Sequence, residues 1–234
     1  MNREELILEY EKIKKIKGKD SFKFITYMLK EARKKHIKLY LESEKAIRMR
    51  ANGEIPDPEQ SWRSVKGAAT EFLIQYIVED QIPSIGLKIV NTKQLKKINL
   101  VSEEVSKIKR NLLVDFGEFG HHLPDVDLII YNPKNLQVIA IISSKVTLRD
   151  RVAQTGYWKL KLRADSVTKD IKVYFFTLDE DGTLTKKNPA KKGRAIVETD
   201  TDGCYLFTES IIEQSEKVKG YDRFFDDIKK LKWN

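Results

Sequence analysis

An α/β fold with a mixed sheet flanked by helices is predicted by three features of the sequence. Arg63 to Glu79 sets Val65, Ala68, Ala69, Phe72, Leu73, Tyr76 and Ile77 on one face at helical spacing. Two β-branched runs, Val126 to Tyr131 and Gln137 to Ile142, flank the turn-rich stretch Asn132-Pro133-Lys134-Asn135-Leu136 and read as an antiparallel hairpin. A third apolar run, Ile171 to Phe176, follows a helical stretch from Leu148 to about Arg163. A helix between two strands of one sheet implies a crossover.

The remaining elements follow in chain order. Residues 4 to 50 read as two charged helices, with Phe24, Met28, Leu29 and Ala32, then Ile37 and Leu41, at helical spacing. Gly53 to Pro58 is expected to be an extended connector, because its two prolines cannot sit inside a helix. Gly86 to Val90 predicts a strand, Ser102 to Arg110 a short helix and Leu112 to Phe116 another strand. Beyond the third apolar run, strands are expected at Ala195 to Val197 and Tyr205 to Phe207, then helices at Glu209 to Lys217 and Asp222 to Lys230. The organisation expected is an N-terminal helical region, residues 1–52, packed on a core of residues 53–234 that ends in C-terminal helices. A chain of 234 residues can bury such a core as one domain.

The apolar residues, 41% of the chain, fall in periodic blocks and not in the scattered pattern of disordered sequence. Lys and Arg outnumber Asp and Glu by 44 to 35, and a net charge of +9 favours a polyanion as partner. Cys204 is the single cysteine, which excludes a disulfide within the chain and suits a reducing compartment. The run Val138 to Ile142 is too short to span a bilayer, and the first residues lack the apolar stretch of a signal peptide. A cytoplasmic protein with no membrane partner is expected.

Counting back from the turn sets Asp125 roughly opposite Ser143. Alternation then puts Asp125 and Asp127 on one face of their strand, and Ser143 and Lys145 on one face of the next. Such a group at the open end of a hairpin suits phosphodiester cleavage. That reaction needs a hard cation held by carboxylate oxygens, both to activate water and to neutralise charge growing on the phosphate. Asp125 ranks first as ligand, and Asp127 second because it lies deeper along the strand. Lys145 can hydrogen-bond the attacking water or the phosphate, with its proton affinity expected to fall beside a cation. Glu71 shares a helical stripe with the uncharged Gly67, Ile74 and Val78, so it faces something other than bulk water.

Pro124-Asp125 and Ser143-Ser144-Lys145 together resemble the PD-(D/E)XK nucleases, with Ser143 standing where an acid is expected. That departure is similar to a subgroup of type II restriction endonucleases cutting sites that contain CCGG or CCNGG. In that subgroup an additional glutamate comes from elsewhere in the fold and an Arg-acid-Arg motif follows the lysine. Here Arg149-Asp150-Arg151 follows Lys145, and no acid appears at Trp158-Lys159-Leu160, the other place where the subgroup carries its glutamate. The stretches Ser61 to Val78 and Leu123 to Leu162, including Gln154, Tyr157 and Trp158, look most like the BsaWI-type enzymes. The resemblance implies a restriction-endonuclease-like core and Mg²⁺-dependent cutting of double-stranded DNA that leaves 5'-phosphate ends. A palindrome with a CCGG core is the leading site, with CCNGG second. It implies a catalytic set of Asp125, Lys145, Glu71 and Ser143. Mg²⁺ would sit on Asp125, Glu71 and the Ser144 backbone carbonyl, with Asp127 the weaker ligand. Arg149, Asp150, Arg151 and Lys145 would contact DNA, since Arg reads guanine and Asp reads cytosine in the major groove. Symmetric cutting suits a homodimer, and a restriction enzyme is expected to be paired with a DNA methyltransferase.

Blander readings stand beside these. Thr147 and Asp150 fit a capping box, Glu71 fits a helix-edge charge, and Tyr157 and Trp158 fit the core. His121 and His122 read as loop residues near DNA and not as metal ligands, since no third ligand follows at metal spacing. A structure-specific or repair nuclease of the same fold is the first rival, and it would not cut plain duplex into discrete fragments. A non-catalytic basic nucleic-acid-binding protein is the second, and it would bind without ever cutting in Mg²⁺.

Overall fold

The computed structural model describes residues 2–96, 102–148 and 151–231, with only the backbone of Arg151 described. The N-terminal region forms three helices, α1 (Arg3–Lys17), α2 (Ile25–Glu42) and α3 (Glu44–Ala51). Asn2 closes a capping box with Glu5 at the start of α1, and Ser43 caps α3. The connector is extended only as far as Asp57. Pro58 then opens α4 (Pro58–Gln81), five residues earlier than expected. A proline at the first helical position loses no hydrogen bond, and the Asp57 carboxylate accepts from the Gln60 N–H at 2.9 Å.

β1 (Lys88–Asn91) leads into the short α5 (Thr92–Leu95), then α6 (Glu103–Arg110). The strand expected at Leu112 to Phe116 shrinks to β2 (Val114–Asp115). It pairs with β3 (His121–His122) in a separate two-stranded ribbon, so the two histidines lie on a strand and not in a loop. β4 (Leu128–Tyr131) and β5 (Val138–Lys145) form the hairpin, followed by α7 (Arg151–Arg163) and β6 (Lys172–Thr177). The chain then runs through α8 (Lys192–Asp200), β7 (Gly203–Leu206), β8 (Val218–Gly220) and α9 (Phe224–Lys229).

Two tail expectations are corrected. Ala195 to Val197 is helical within α8, because Arg194 bonds Glu198 one turn on and Val197 is buried as part of a helical face. Glu209 to Lys217 forms no helix. Its backbone is tied to other segments, with the Glu213 N–H on Thr185 and the Ser215 N–H on Val218.

The main sheet has the order β1-β4-β5-β6-β7-β8, antiparallel in its first two pairings and parallel in its last three. Side-chain alternation gives the central strands β4 to β7 two apolar faces. Ile130, Ile142, Phe176 and Tyr205 pack with α1, α2, α4 and α9, whereas Ile129, Ile141 and Val173 pack with α6 and α7. Phe175, Leu206 and Val218 form a third cluster with Val152 of α7 and Val197 of α8. Leu6 and Tyr10 of α1 and Met28 and Leu29 of α2 belong to the same cluster as the sheet residues, so α1 and α2 share its core. Trp158 and Leu162 are core as expected, but Tyr157 and Leu160 are exposed.

Candidate functional site

The hairpin register decides which acid meets the lysine. Leu128 pairs with Ile142 and Ile130 with Ala140, but Tyr131 pairs with Val138, so Ile139 is an extra residue on β5. The loop is also longer than the turn residues suggest, closing with the Asn132 N–H on the Gln137 carbonyl at 2.9 Å. Together these shift the partner strand and set Asp127, not Asp125, level with Ser143. The Asp127 N–H donates to Ile142 at 2.9 Å, and its carbonyl accepts from the Thr92 N–H at 3.1 Å. Asp127 is therefore clamped by backbone on both sides.

Its carboxylate is held as firmly. Oδ2 accepts from the Ser144 N–H at 2.7 Å and the Ser144 hydroxyl at 3.2 Å. Lys145 Nζ lies 3.2 Å from the same oxygen and 2.5 Å from Glu71 Oε1, so one ammonium bridges a helix and a strand. The Lys145, Asp127 and Glu71 side chains remain 25%, 26% and 35% exposed. The proton affinity of Lys145 is raised and not lowered: burial works against its charge, but Asp127 and Glu71 outweigh it.

Asp125 has a partner on a different element. It is exposed and accepts from Gln154 Nε2 of α7 at 3.0 Å. It still shares a cavity of about 240 Å³ with Asp127, Ser143, Lys145, Gln154 and Thr155. Ser143 is buried and places no third carboxylate beside Asp127. Arg149 and Asp150 lie outside the described residues, as does the capping box that depends on Asp150, and Arg151 opens α7. The bonds from Thr92, and from the Ser144 N–H and hydroxyl, went unread in the sequence, where Ser144 figured only through its carbonyl.

With this geometry in place, residues 104–230, more than half of the chain, match the BsaWI restriction endonuclease type 2 family. The chain belongs to the BsaWI family of type II restriction endonucleases. It is 35% identical to MjaVIP of Methanocaldococcus jannaschii, a protein carrying the name of a type II restriction enzyme. That likeness runs over 209 residues, 87% of this chain and 91% of that one. HpyAORF263P of Helicobacter pylori, named in the same way, is 36% identical over 56% of this chain and 67% of its own. The fold is similar to that of restriction endonuclease PspGI, solved with its substrate DNA, with a TM-score of 0.54 at 16% identity. The match covers 97% of this chain and 92% of that one. Among the described residues of this BsaWI-family chain, no helix is long and apolar enough to cross a membrane.

Proposed function

We propose that this chain is a Mg²⁺-dependent endonuclease that hydrolyses both strands of duplex DNA at a palindrome with a CCGG core. The observation that carries the reading is the Lys145 ammonium held between Glu71 and Asp127 at the open end of the β4–β5 hairpin. Two carboxylates and one cation leave a net negative charge open to solvent, where a further cation is favoured.

The donor set fits Mg²⁺. Among the described residues no three His, Cys, Asp or Glu side chains stand close enough to hold a metal alone. Mg²⁺ needs no such cage, since it keeps several waters and takes one or two carboxylates with phosphate oxygens. Asp127 and Glu71 would hold it, with the Ser144 carbonyl and Asp125 as further oxygens. The chemistry supplied by a bound Mg²⁺ is neutralisation of phosphate charge and acidification of water. Ser144 fixes the Asp127 carboxylate before substrate arrives, so no reorganisation is needed during reaction. Lys145, with its proton affinity raised by Asp127 and Glu71, can donate from Nζ to a phosphate oxygen as negative charge grows there. Ser143 leaves the adjacent space neutral.

Arg149, Asp150 and Arg151 would read neighbouring G·C pairs through guanine O6 and N7 and the cytosine amino group. Only five residues separate Lys145 from Arg151, so the base readers and the cutting centre ride on one short segment. Two copies related by a twofold axis would cut both strands of the palindrome, in a cytoplasm where a companion methyltransferase protects host sites.

Digestion of a sequenced plasmid with Mg²⁺, followed by end mapping, tests the reading. Discrete fragments with 5'-phosphate ends at CCGG are expected, and the absence of cutting under any divalent cation would sink it. Arg149→Ala and Arg151→Ala should each lose about 1–3 kcal/mol of preference for CCGG over a scrambled core. Competition binding at fixed salt measures that preference.

A further inference from the structure

The positive charge of the chain is not spread evenly. Residues 1–52 hold fifteen Lys and Arg against eight Asp and Glu, so the helical layer over one face of the sheet carries most of the excess. Some of the positive charge is paired locally, Lys12 with Glu9, Lys23 with Asp20 and Lys34 with Glu31 within the layer and Arg33 with Glu59 of α4.

Arg3 is different. It stands exposed at the start of α1, its guanidinium carbon 5.2 Å from the centroid of the Phe72 ring on α4. With Lys93 of α5 and Lys96 just beyond it, Arg3 lines an open cleft of about 770 Å³ that also contains Glu71, Asp125 and Asp127. Both lysines are exposed, and among the described residues none of the three cations is held in an ion pair. One cleft thus joins the carboxylates of the candidate centre to three uncommitted cations from two separate parts of the chain.

Carboxylates repel a phosphate strand, so a cleft that receives one needs compensating charge beside them. A guanidinium stacked on a ring keeps its N–H edge open for phosphate oxygens, and lysine serves as a mobile point charge for the same group. We infer that Arg3, Lys93 and Lys96 form a phosphate-binding rim holding the sugar-phosphate backbone next to the scissile phosphate. α1 is then part of the DNA interface as well as a cover for the sheet. This inference rests on the duplex-cutting reading and adds to it residues that base recognition does not use.

The test is equilibrium binding in Ca²⁺ across about 50 to 200 mM salt, the range in which phosphate contacts are most visible. Wild type, Arg3→Ala, Lys93→Ala/Lys96→Ala and the triple variant are compared on a CCGG duplex and on one with the core scrambled. Each lost contact should make the plot of log affinity against log salt shallower by about 0.9, and a twofold dimer loses two contacts per substituted residue, so the triple variant should lose roughly five units on both duplexes. Arg3→Lys, which keeps the charge, should restore most of the Arg3 share. Lys34→Ala, on the outer face of α2, should leave the slope within one unit of wild type. Thermal melts of each variant separate lost contacts from lost fold. A triple variant with the wild-type slope overturns the inference, as does a loss confined to the CCGG duplex, which would make these residues base readers. Failure of the wild type to bind either duplex would instead remove the duplex-cutting reading itself.

Discussion

Arg194 and Lys145 are both cations drawn into the fold, and their surroundings differ in kind. Arg194 is fully buried. Its Nη1 donates to the Leu184 carbonyl, its Nη2 to the Glu213 carbonyl at 2.8 Å and its Nε to Glu198 at 2.8 Å. Two of those three partners are backbone, so the side chain pins two loops to α8. Lys145 keeps a quarter of its side chain in solvent, and its partners are two carboxylates that outnumber it. A saturated, balanced cation stabilises structure; an accessible one among excess opposite charge marks a place where something else binds. Burial alone would have chosen Arg194 as the more unusual residue. The balance and reach of the charge choose Lys145.

Four measurements break or sharpen that contrast. Asp127→Ala and Lys145→Ala should each slow cleavage at least about a thousandfold, roughly 4 kcal/mol at the transition state, while the melting temperature stays within a few degrees. Asp125→Ala, assayed beside them, should lose less than Asp127→Ala, and the reverse order would return Asp125 to first place among the ligands. Arg194→Met should do the opposite, costing about 3–5 kcal/mol in denaturant melts because buried acceptors are left unpaired. Its cleavage per folded molecule should stay within a few-fold of wild type. Glu71→Gln should cut about a hundredfold more slowly, close to 2.7 kcal/mol, even at high Mg²⁺. Unchanged activity per folded molecule would make Glu71 a helix-edge charge.

The smallest effect belongs to Asp179, which accepts from the Leu184 N–H beside the Arg194 cluster. Burial pushes its carboxyl up from 3.8 to about 6, against the backbone bonds from Leu184. The folded state holds this proton more tightly than the unfolded one, so stability falls as pH rises from about 4 to 6 and then levels. The drop should be roughly 1–3 kcal/mol, and Asp179→Asn should remove it. Denaturant melts at pH 4, 5, 6 and 7 give both curves, and identical curves would place the titration elsewhere.

Where burial was one-sided or complete, the elements were legible. The β4–β5 runs, β6 and α4 were readable because their apolar residues repeat at strand or helix spacing. α8 was misread as a strand because Ala195-Ile196-Val197 is β-branched in two of three positions, and the competing signal, Arg194 and Glu198 one turn apart, is only a pair. β8 carries one buried apolar residue, Val218, and exists because β7 offers it an edge. Glu71, Lys145 and Asp127 of the candidate site were all named from the sequence, but the strand register that sets Asp127 and not Asp125 level with Ser143 was not. An extra residue at Ile139 and the longer loop shift the strand, and no composition signal announces a bulge. Thr92 was invisible for a related reason: its clamp on the backbone of Val126 and Asp127 is tertiary, made across strands that only the folded sheet brings together.

The bridge made by Lys145 also sets a schedule. Its two ion pairs join residues 74 and 18 positions apart, and its strand pairs in parallel with β6, a connection that ordering by local contacts cannot supply. Helices α1 to α4 can form early from neighbouring residues, but the charges that would cut DNA meet only when distant segments have found each other. A chain returning from denaturant should therefore regain helical signal before Lys145 meets Glu71.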